Sequence, residues 1–168
     1  VMRADVLGRA ISDVLRRRPP CPIIYMSPRG KPLTQARAQA LAEGPGVVVL
    51  CGRFEGIDQR FIDHFQIEEI SVGDYVLSGG ELAAQVRLDT AVRLIPGVLG
   101  NQISTEHESF SNGRRGHPQY TRPPVWEGRE IPTVLMSVHN GKVEDWQKQQ
   151  SEALTQERRP DLWEAFEG

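Results

Sequence analysis

Three short segments limit most strongly what this chain can fold into, the first two being unbroken apolar runs and the third being interrupted by Glu68, Glu69 and Ser71. They occupy residues 23–26, 47–50 and 67–72, and segments with helical periodicity stand between them. An apolar run without alternating polar residues is typical of a strand that is buried on both faces, as in a parallel sheet covered by helices. The alternation therefore predicts an α/β fold with a mostly parallel sheet and helices on both faces.

Helices are predicted around each of these strands. Asp5 is the predicted cap of the first helix, which runs to about Arg17 and ends before the proline pair at 19–20. The remaining helices follow from apolar residues at helical spacing, at residues 34–41, at Ile57, Phe61 and Phe65, and at residues 81–94.

A turn that contains glycine follows each predicted strand. In an open parallel sheet the ligand crevice lies at the carboxyl ends of the strands, so we expect the three turns to line one pocket. Their small residues suit backbone that passes close to a ligand or to another part of the chain. Such a pocket suits a neutral ring such as adenine better than a triphosphate. The turns are S-P-R-G at 27–30, C-G-R-F-E-G at 51–56, and residues 72–80 with Gly73, Gly79 and Gly80.

Several classes of protein are disfavoured by absent patterns. Neither G-x-G-x-x-G nor G-x-x-x-x-G-K-[ST] occurs, which argues against nicotinamide enzymes, P-loop enzymes and ordinary Rossmann methyltransferases. Cys21 and Cys51 lack C-x-x-C spacing and the four histidines are scattered, so we predict reduced thiols in a cytoplasmic protein and no metal site. No apolar run approaches 18 residues, so we predict no membrane span.

Periodicity fades between residues 101 and 132, where glycines and prolines predict a long loop or linker. Within residues 111–130 four arginines stand against two acidic residues, although the whole chain has a net charge of −2. Aromatic side chains accompany these arginines. Contact with phosphates and bases and a merely solvated linker therefore both stay open. Helices are predicted again at 142–157 and at 161–166.

Five ordered segments resemble the TrmD family of bacterial tRNA (guanine-N1-)-methyltransferases, in the SPOUT superfamily. The resemblance covers most of residues 1–136, with a looser match at 158–162. The segments are I-I-Y-M-S-P-R-G, V-V-L-C-G-R-F-E-G-I-D, S-V-G-D-Y-V-L-S-G-G-E-L, R-L-I-P-G-V-L-G and P-Q-Y-T-R-P.

The resemblance implies a SPOUT fold, an α/β sheet with a deep C-terminal trefoil knot and a small helical C-terminal part. It implies a domain at 1–105 that binds S-adenosylmethionine and lacks the family's further N-terminal stretch, a flexible linker at 106–130, and a helical domain at 131–168. It also implies a cytoplasmic homodimer that methylates N1 of the guanosine 3′ to the tRNA anticodon, with each active site built from both subunits.

The resemblance also implies roles for individual residues. Glu55 and Arg122 match substrate-binding positions. Arg93 matches the arginine that faces guanine, where a fixed positive charge stabilises negative charge on O6 as N1 loses its proton. Without the resemblance, the preferred explanation of Arg93 is a helix C-terminal arginine that the helix dipole favours. The positions that match the cofactor loops are Tyr25, Ser27, Pro28, Gly52, Val72, Gly73, Asp74, Tyr75, Val76, Leu77, Gly79 and Gly80.

The general base is the main departure from the family pattern. Methyl transfer to guanine N1 requires removal of its proton, and the family uses an acidic residue two positions before the proline of P-x-Y-T-R-P. That position is Gly116 here, and the nearest titratable residue is His117, a residue type that titrates near neutral pH.

The sequence leaves three hypotheses about function. The first is an active tRNA methyltransferase with His117 as the candidate base. The second is a catalytically impaired module that binds S-adenosylmethionine or RNA and lacks the general base. The third is an α/β enzyme that acts on a small metabolite, and it would require methyl transfer to that metabolite without tRNA binding.

Overall fold

The computed structural model describes residues 1–98, 110 and 115–167. Residues 99–100, which end the fourth resembling segment, and 106–109 and 111–114 of the predicted linker lie outside the described residues. Contacts divide the chain into two units, Val1–Gln102 and Ile103–Gly168. The elements of the first unit are α1 (Ala4–Arg16), β1 (Ile23–Pro32), α2 (Gln35–Ala42), β2 (Val48–Cys51), α3 (Gln59–His64), β3 (Glu68–Ser71) and α4 (Glu81–Val92).

The first unit is built on a three-stranded parallel sheet with the order β2-β1-β3. The central strand β1 pairs with β2 through Ile23 opposite Val48 and with β3 through Ile24 opposite Glu68. Each crossover between successive strands passes through a helix, as parallel pairing requires. The predicted α/β fold with a parallel sheet is therefore confirmed for the described residues.

Alternate residues of β1 supply two separate apolar clusters. Ile23 and Tyr25 belong to one cluster, whereas Ile24 and Met26 belong to the other. This division explains the unbroken apolar run, because full burial of such a side chain contributes roughly 1.5–3 kcal/mol on either face. The first cluster includes Ile11 of α1 with Phe61 and Ile62 of α3, and the second includes Leu41 of α2 with Ala83 and Ala91 of α4.

The turn predicted at residues 27–30 proved wrong, because β1 continues to Pro32. Met26 and Lys31 both stand opposite Ile70, so the four residues between them form an irregularity within the strand. A Cβ atom at Gly30 would overlap the main chain of β3 at Glu69. The glycine therefore marks a close approach of two backbones inside a sheet, and not the end of the strand.

Two helices of the first unit, α2 and α3, begin with a side-chain cap, whereas α1 and α4 do not. The cap predicted at Asp5 was wrong, because α1 begins at Ala4 and Asp5 stands in its first turn, 2.8 Å from Arg3. An acidic residue is favourable there because it faces the positive end of the helix dipole. Thr34 accepts a hydrogen bond from the Arg37 N–H of α2 at 3.1 Å, and Asp58 caps α3.

The second unit is mainly helical. Its α5 (Asn140–Arg158) and α6 (Pro160–Glu167) confirm the predicted helices, and a 3-10 turn, Thr133–Met136, precedes them. The prediction of no regular structure up to residue 132 was wrong at β4 (Val125–Trp126) and β5 (Arg129–Glu130), which pair antiparallel. Glu127 and Gly128 between them have φ of 53° and 72°, as tight hairpins require. Within the described chain, every helix is too short or too polar to cross a membrane.

Candidate functional site

The three glycine-containing segments singled out in the sequence line one cavity of about 340 Å³ in the first unit. Its walls come from residues 25–29 of β1, residues 52–57 after β2, and residues 70–73 and 75–80 in and after β3. The prediction that these segments share a pocket is therefore confirmed. Their role in binding a cofactor stays a prediction.

Main chain forms part of the cavity wall. The Gly80 N–H donates a hydrogen bond to the Gly52 carbonyl at 3.1 Å, which joins the second segment to the third. A Cβ atom at Gly80 would lie 2.8 Å from the Cys51 Cα, and one at Gly52 would lie 2.6 Å from the Tyr25 ring. Because no side chain fits at these two positions, glycine is what lets the segments approach each other this closely.

Hydrogen bonds within the third segment hold its shape. The buried Ser71 hydroxyl donates to the Gly73 carbonyl at 3.0 Å and accepts from the Gly73 N–H at 3.2 Å. The Tyr75 hydroxyl donates to the Val72 carbonyl at 3.1 Å. The segment is thus ordered by its own contacts, which lowers the entropy that a ligand would have to remove on binding. Val76 remains 85% exposed at its tip.

The second segment carries backbone strain beside a carboxylate. Phe54 has a φ of 60°, which is uncommon for a residue other than glycine, and its side chain is 86% exposed. Glu55 follows it and lines the cavity. An exposed aromatic residue held in a strained conformation is a feature of binding sites, where the surrounding structure maintains the strain.

Ion pairs neutralise both arginines that line the cavity. Arg29 lies 3.1 Å from Glu69 on β3, and Arg53 lies 2.8 Å from Glu81 on α4. Arg29 and Arg53 therefore add no net positive charge to the cavity. This arrangement suits an uncharged or zwitterionic ligand better than a polyphosphate.

Burial keeps two further groups near the cavity in their neutral form. Burial, and then the Glu69 charge, raise the pKa of Tyr25, although Arg29 acts in the opposite direction. Burial, and then the Glu81 charge, raise the pKa of the Cys51 thiol. Neither group is therefore ionised at neutral pH, and neither supplies a proton acceptor there.

The structure brings most of the predicted cofactor positions to the cavity, with one exception. Asp74 is exposed and does not line it. Arg93 is half-buried at the C-terminal cap of α4 and also does not line it. Sequence reasoning missed Val1 and Ala83 as lining residues, and it left Arg29, Arg53 and Ser78 unnamed although they stand inside the predicted turns.

Gly116, His117 and Arg122 lie in the second unit. The main chain before Gly116 is attached to α5, because the Arg115 N–H donates to the Thr155 hydroxyl at 2.9 Å. His117 is half-buried, and its Nδ1 lies 3.0 Å from the Pro118 carbonyl oxygen. Arg122 is exposed.

Comparison with known proteins gives one consistent result. Residues 1–165 match the model of a family described as tRNA (Guanine-1)-methyltransferase TrmD. Proteins named tRNA (guanine-N(1)-)-methyltransferase are 58% identical over 165 residues in Ruegeria pomeroyi, 60% over 166 in Roseobacter denitrificans and 57% over 166 in Brucella ovis. These alignments cover 98–99% of this chain and 68–69% of each relative.

Proposed function

Because the chain belongs to the TrmD family of tRNA (guanine-1)-methyltransferases, we propose that it methylates N1 of a guanosine in tRNA, at the position 3′ to the anticodon. The observation that carries this proposal is the family match over residues 1–165, together with 56–60% identity to relatives that bear that name. The cavity at the ends of the strands is the proposed site of the methyl donor.

We propose S-adenosylmethionine as that donor, which supplies an electrophilic methyl group on a sulfonium when bound. The cavity volume of about 340 Å³ falls within the range of small-molecule sites. The glycine-containing segments around residues 52 and 80 bring main chain to the cavity wall, which suits an adenine ring held by peptide groups. The neutralised arginines fit a nucleoside without phosphates. Hence the residues present fit this cofactor.

Removal of the guanine N1 proton requires an acceptor, and His117 is the proposed one. A carbonyl oxygen only accepts, so the contact with the Pro118 carbonyl assigns the ring proton to Nδ1. Nε2 then holds the lone pair that a proton acceptor requires. Arg93 is the proposed stabiliser of negative charge on guanine O6, as its fixed positive charge suits that role. Glu55 and Arg122 are the proposed substrate contacts.

A homodimer with a knotted first unit completes the proposal. Leu82 and Val86 share one face of α4 and are 57% and 49% exposed, which supports coverage by a second copy. A deep trefoil knot in the first unit is proposed from membership of the TrmD family. The proposed division is a cofactor domain at 1–105, a linker at 106–130 and a helical domain at 131–168. Since tRNA is the proposed substrate, the proposed compartment is the cytoplasm.

Transfer of labelled methyl from S-adenosylmethionine to a tRNA transcript tests the function. The transcript carries the guanosine pair beside the anticodon, and its control has adenosine at the target position. We expect 1-methylguanosine after nuclease digestion of the first transcript alone. Replacement His117→Ala should lower kcat by about 10²–10⁴-fold if His117 is the base, and Gly116→Asp should restore activity to that variant.

Binding of S-adenosylhomocysteine, measured by calorimetry, separates the ways in which the proposal can fail. Binding without any methyl transfer would overturn the catalytic proposal and would indicate an impaired module. Absence of binding, or binding unaffected by Gly80→Ala, would overturn the assignment of the cavity. Transfer to a small metabolite without tRNA binding would overturn the substrate.

A further inference from the structure

Two hydroxyl groups of α5 hold both main-chain polar groups of Arg115. The Thr155 Oγ1 accepts from the Arg115 N–H at 2.9 Å, and the Ser151 hydroxyl donates to the Arg115 carbonyl oxygen. Thr155 is fully buried, and its own hydroxyl donates to the Ser151 carbonyl at 2.7 Å. Ser151 and Thr155 stand one helical turn apart on the same face, so they act on the loop together.

Ser151 and Thr155 do not favour the stability of α5 itself. Serine and threonine inside a helix are less favourable than alanine, because their hydroxyls compete for backbone groups and threonine loses side-chain freedom. A fully buried threonine hydroxyl also requires a partner, since an unsatisfied one costs about 1–3 kcal/mol. The Thr155 hydroxyl is satisfied on both sides, because it donates to the Ser151 carbonyl within the helix and its oxygen accepts from the Arg115 N–H of the loop. The hydroxyls are therefore explained by the loop that they hold.

The held residue stands two positions before His117, the proposed proton acceptor. Arg115 is followed by Gly116 and His117, and the His117 ring is oriented by the Pro118 carbonyl at 3.0 Å. A proton acceptor must come within about 2.6–3.2 Å of the atom that carries the proton. A displacement of about 1 Å at such a site lowers the rate by about 10²-fold.

We propose, on the basis of the proposed function, that Ser151 and Thr155 are positioning residues for removal of the guanine N1 proton. Their hydroxyls fix the main chain before Gly116, and this sets where the acceptor on the loop stands. They contact neither cofactor nor guanine in this role. The chemistry they serve is unchanged. The N1 proton moves to the acceptor, the N1 electron pair forms the new bond to the methyl carbon of the proposed donor, and the methyl–sulfur bond breaks with its electron pair passing to sulfur, so that S-adenosylhomocysteine leaves.

Methyl-transfer kinetics across pH test this proposal. Thr155→Val keeps the side-chain shape but removes the hydroxyl, and we expect kcat to fall by about 10–100-fold at neutral pH. The reduction in kcat should become smaller as pH rises toward the range where guanine N1 loses its proton to solvent, because a positioned proton acceptor then contributes less to the rate. KM for S-adenosylmethionine should stay within about twofold, and Thr155→Ser should recover most of kcat.

Two further variants keep the test informative. Ser151→Ala removes the second hydroxyl without touching the buried threonine, so it carries the test if Thr155→Val does not fold by circular dichroism. Ser137→Ala is the matched control, because Ser137 stands at the end of the 3-10 turn of the same unit and donates to its Val134 carbonyl at 2.8 Å. The control should leave kcat and its pH profile unchanged.

The outcomes separate this inference from the proposed function. A deficit that is equal at every pH, that lies entirely in KM, or that Ser137→Ala reproduces would overturn the positioning role alone. Absence of methyl transfer by the unaltered chain would overturn the proposed function and the positioning role together.

Discussion

Glycine at position 80 illustrates how one missing side chain shapes the cavity. Because a Cβ atom there would lie 2.8 Å from the Cys51 Cα, Gly80→Ala must displace main chain. We expect a loss of about 1–3 kcal/mol of unfolding free energy, as in other overpacked sites, and weaker binding of S-adenosylhomocysteine. Urea unfolding and calorimetry measure the two effects.

Gly141→Ala is the control for this prediction. No heavy atom of a neighbour lies within 4 Å of a Cβ built there, and the position is helical. Alanine in a helix is favoured over glycine by up to about 1 kcal/mol, so this variant should be neutral or more stable. Equal destabilisation by both substitutions would contradict the account of Gly80.

Arg87 is a charged residue in an apolar setting. It stands between Ala83 and Ala91 on the buried stripe of α4 and is only 4% exposed. Its Nε has no hydrogen-bond partner among the described residues, and burial, then the Arg37 charge, lower its pKa. Arg87→Met should therefore raise the free energy of unfolding by about 1–3 kcal/mol.

Urea unfolding measures this gain, with Arg9→Met as the control. Arg9 is exposed on α1, where substitutions usually change stability by less than about 0.5 kcal/mol. A loss of stability in Arg87→Met would show that Arg87 makes a contact that stabilises the fold.

At the residue scale, sequence could predict the cavity glycines because glycine suits positions where backbones meet. It could not predict the burial of Arg87, since charged residues are almost never fully buried without a partner. The strained backbone of Phe54 could not be predicted from the sequence either, because it depends on tertiary packing. Roles for Arg93 and His117 came from the family resemblance, because neither residue type in isolation indicates proton transfer.

The elements were predictable where one physical signal dominated. Burial of β1 on both faces produced a continuous apolar run, and that run identified the strand. Pro28 and Gly30 then suggested a turn, but pairing with β3 carries β1 past them. The strands β4 and β5 were missed because two residues each are too few for a period to show.

The short helix α3 depends on Asp58 at its N-terminal cap. The Arg60 guanidinium, and then the Arg60 backbone N–H, lower the pKa of Asp58 to about 2. The pKa of Asp58 is lower in the folded state than its unfolded value of about 3.9, so the ionised carboxylate stabilises the folded state at pH values above about 3.9. This stabilisation is lost as the pH falls toward 2.

Asp58→Asn tests this pH dependence, because asparagine also caps helices but carries no charge. We expect the variant to have a lower melting temperature than the unaltered chain at pH 7. The difference should narrow as pH falls below about 4. Thermal unfolding followed by circular dichroism gives both curves, and a difference that stays constant from pH 7 to pH 3 would rule out the carboxylate as its source.

At the scale of the whole molecule, the exposed apolar face of α4 predicts self-association. The double substitution Leu82→Glu and Val86→Glu places charge on the two exposed apolar positions of that face. We expect a dimer to become a monomer in sedimentation velocity, because a buried unpaired charge disfavours the interface. Circular dichroism should be unchanged.

Val6→Glu is the matched control for self-association. Val6 is 50% exposed on α1, on the opposite side of the sheet from α4. It should leave the sedimentation coefficient unchanged. A monomer in the unaltered chain, or a dimer that survives both α4 substitutions, would contradict the proposed interface.

The cavity wall at Gly52 and Gly80 has a consequence for inhibitor design. A compound that packs against the main chain there would meet atoms that every amino acid shares, so resistance cannot arise by exchanging the contacted group. A bulkier residue would block the drug but would also collide with Cys51 or Tyr25. Escape from such a compound should therefore damage the target itself.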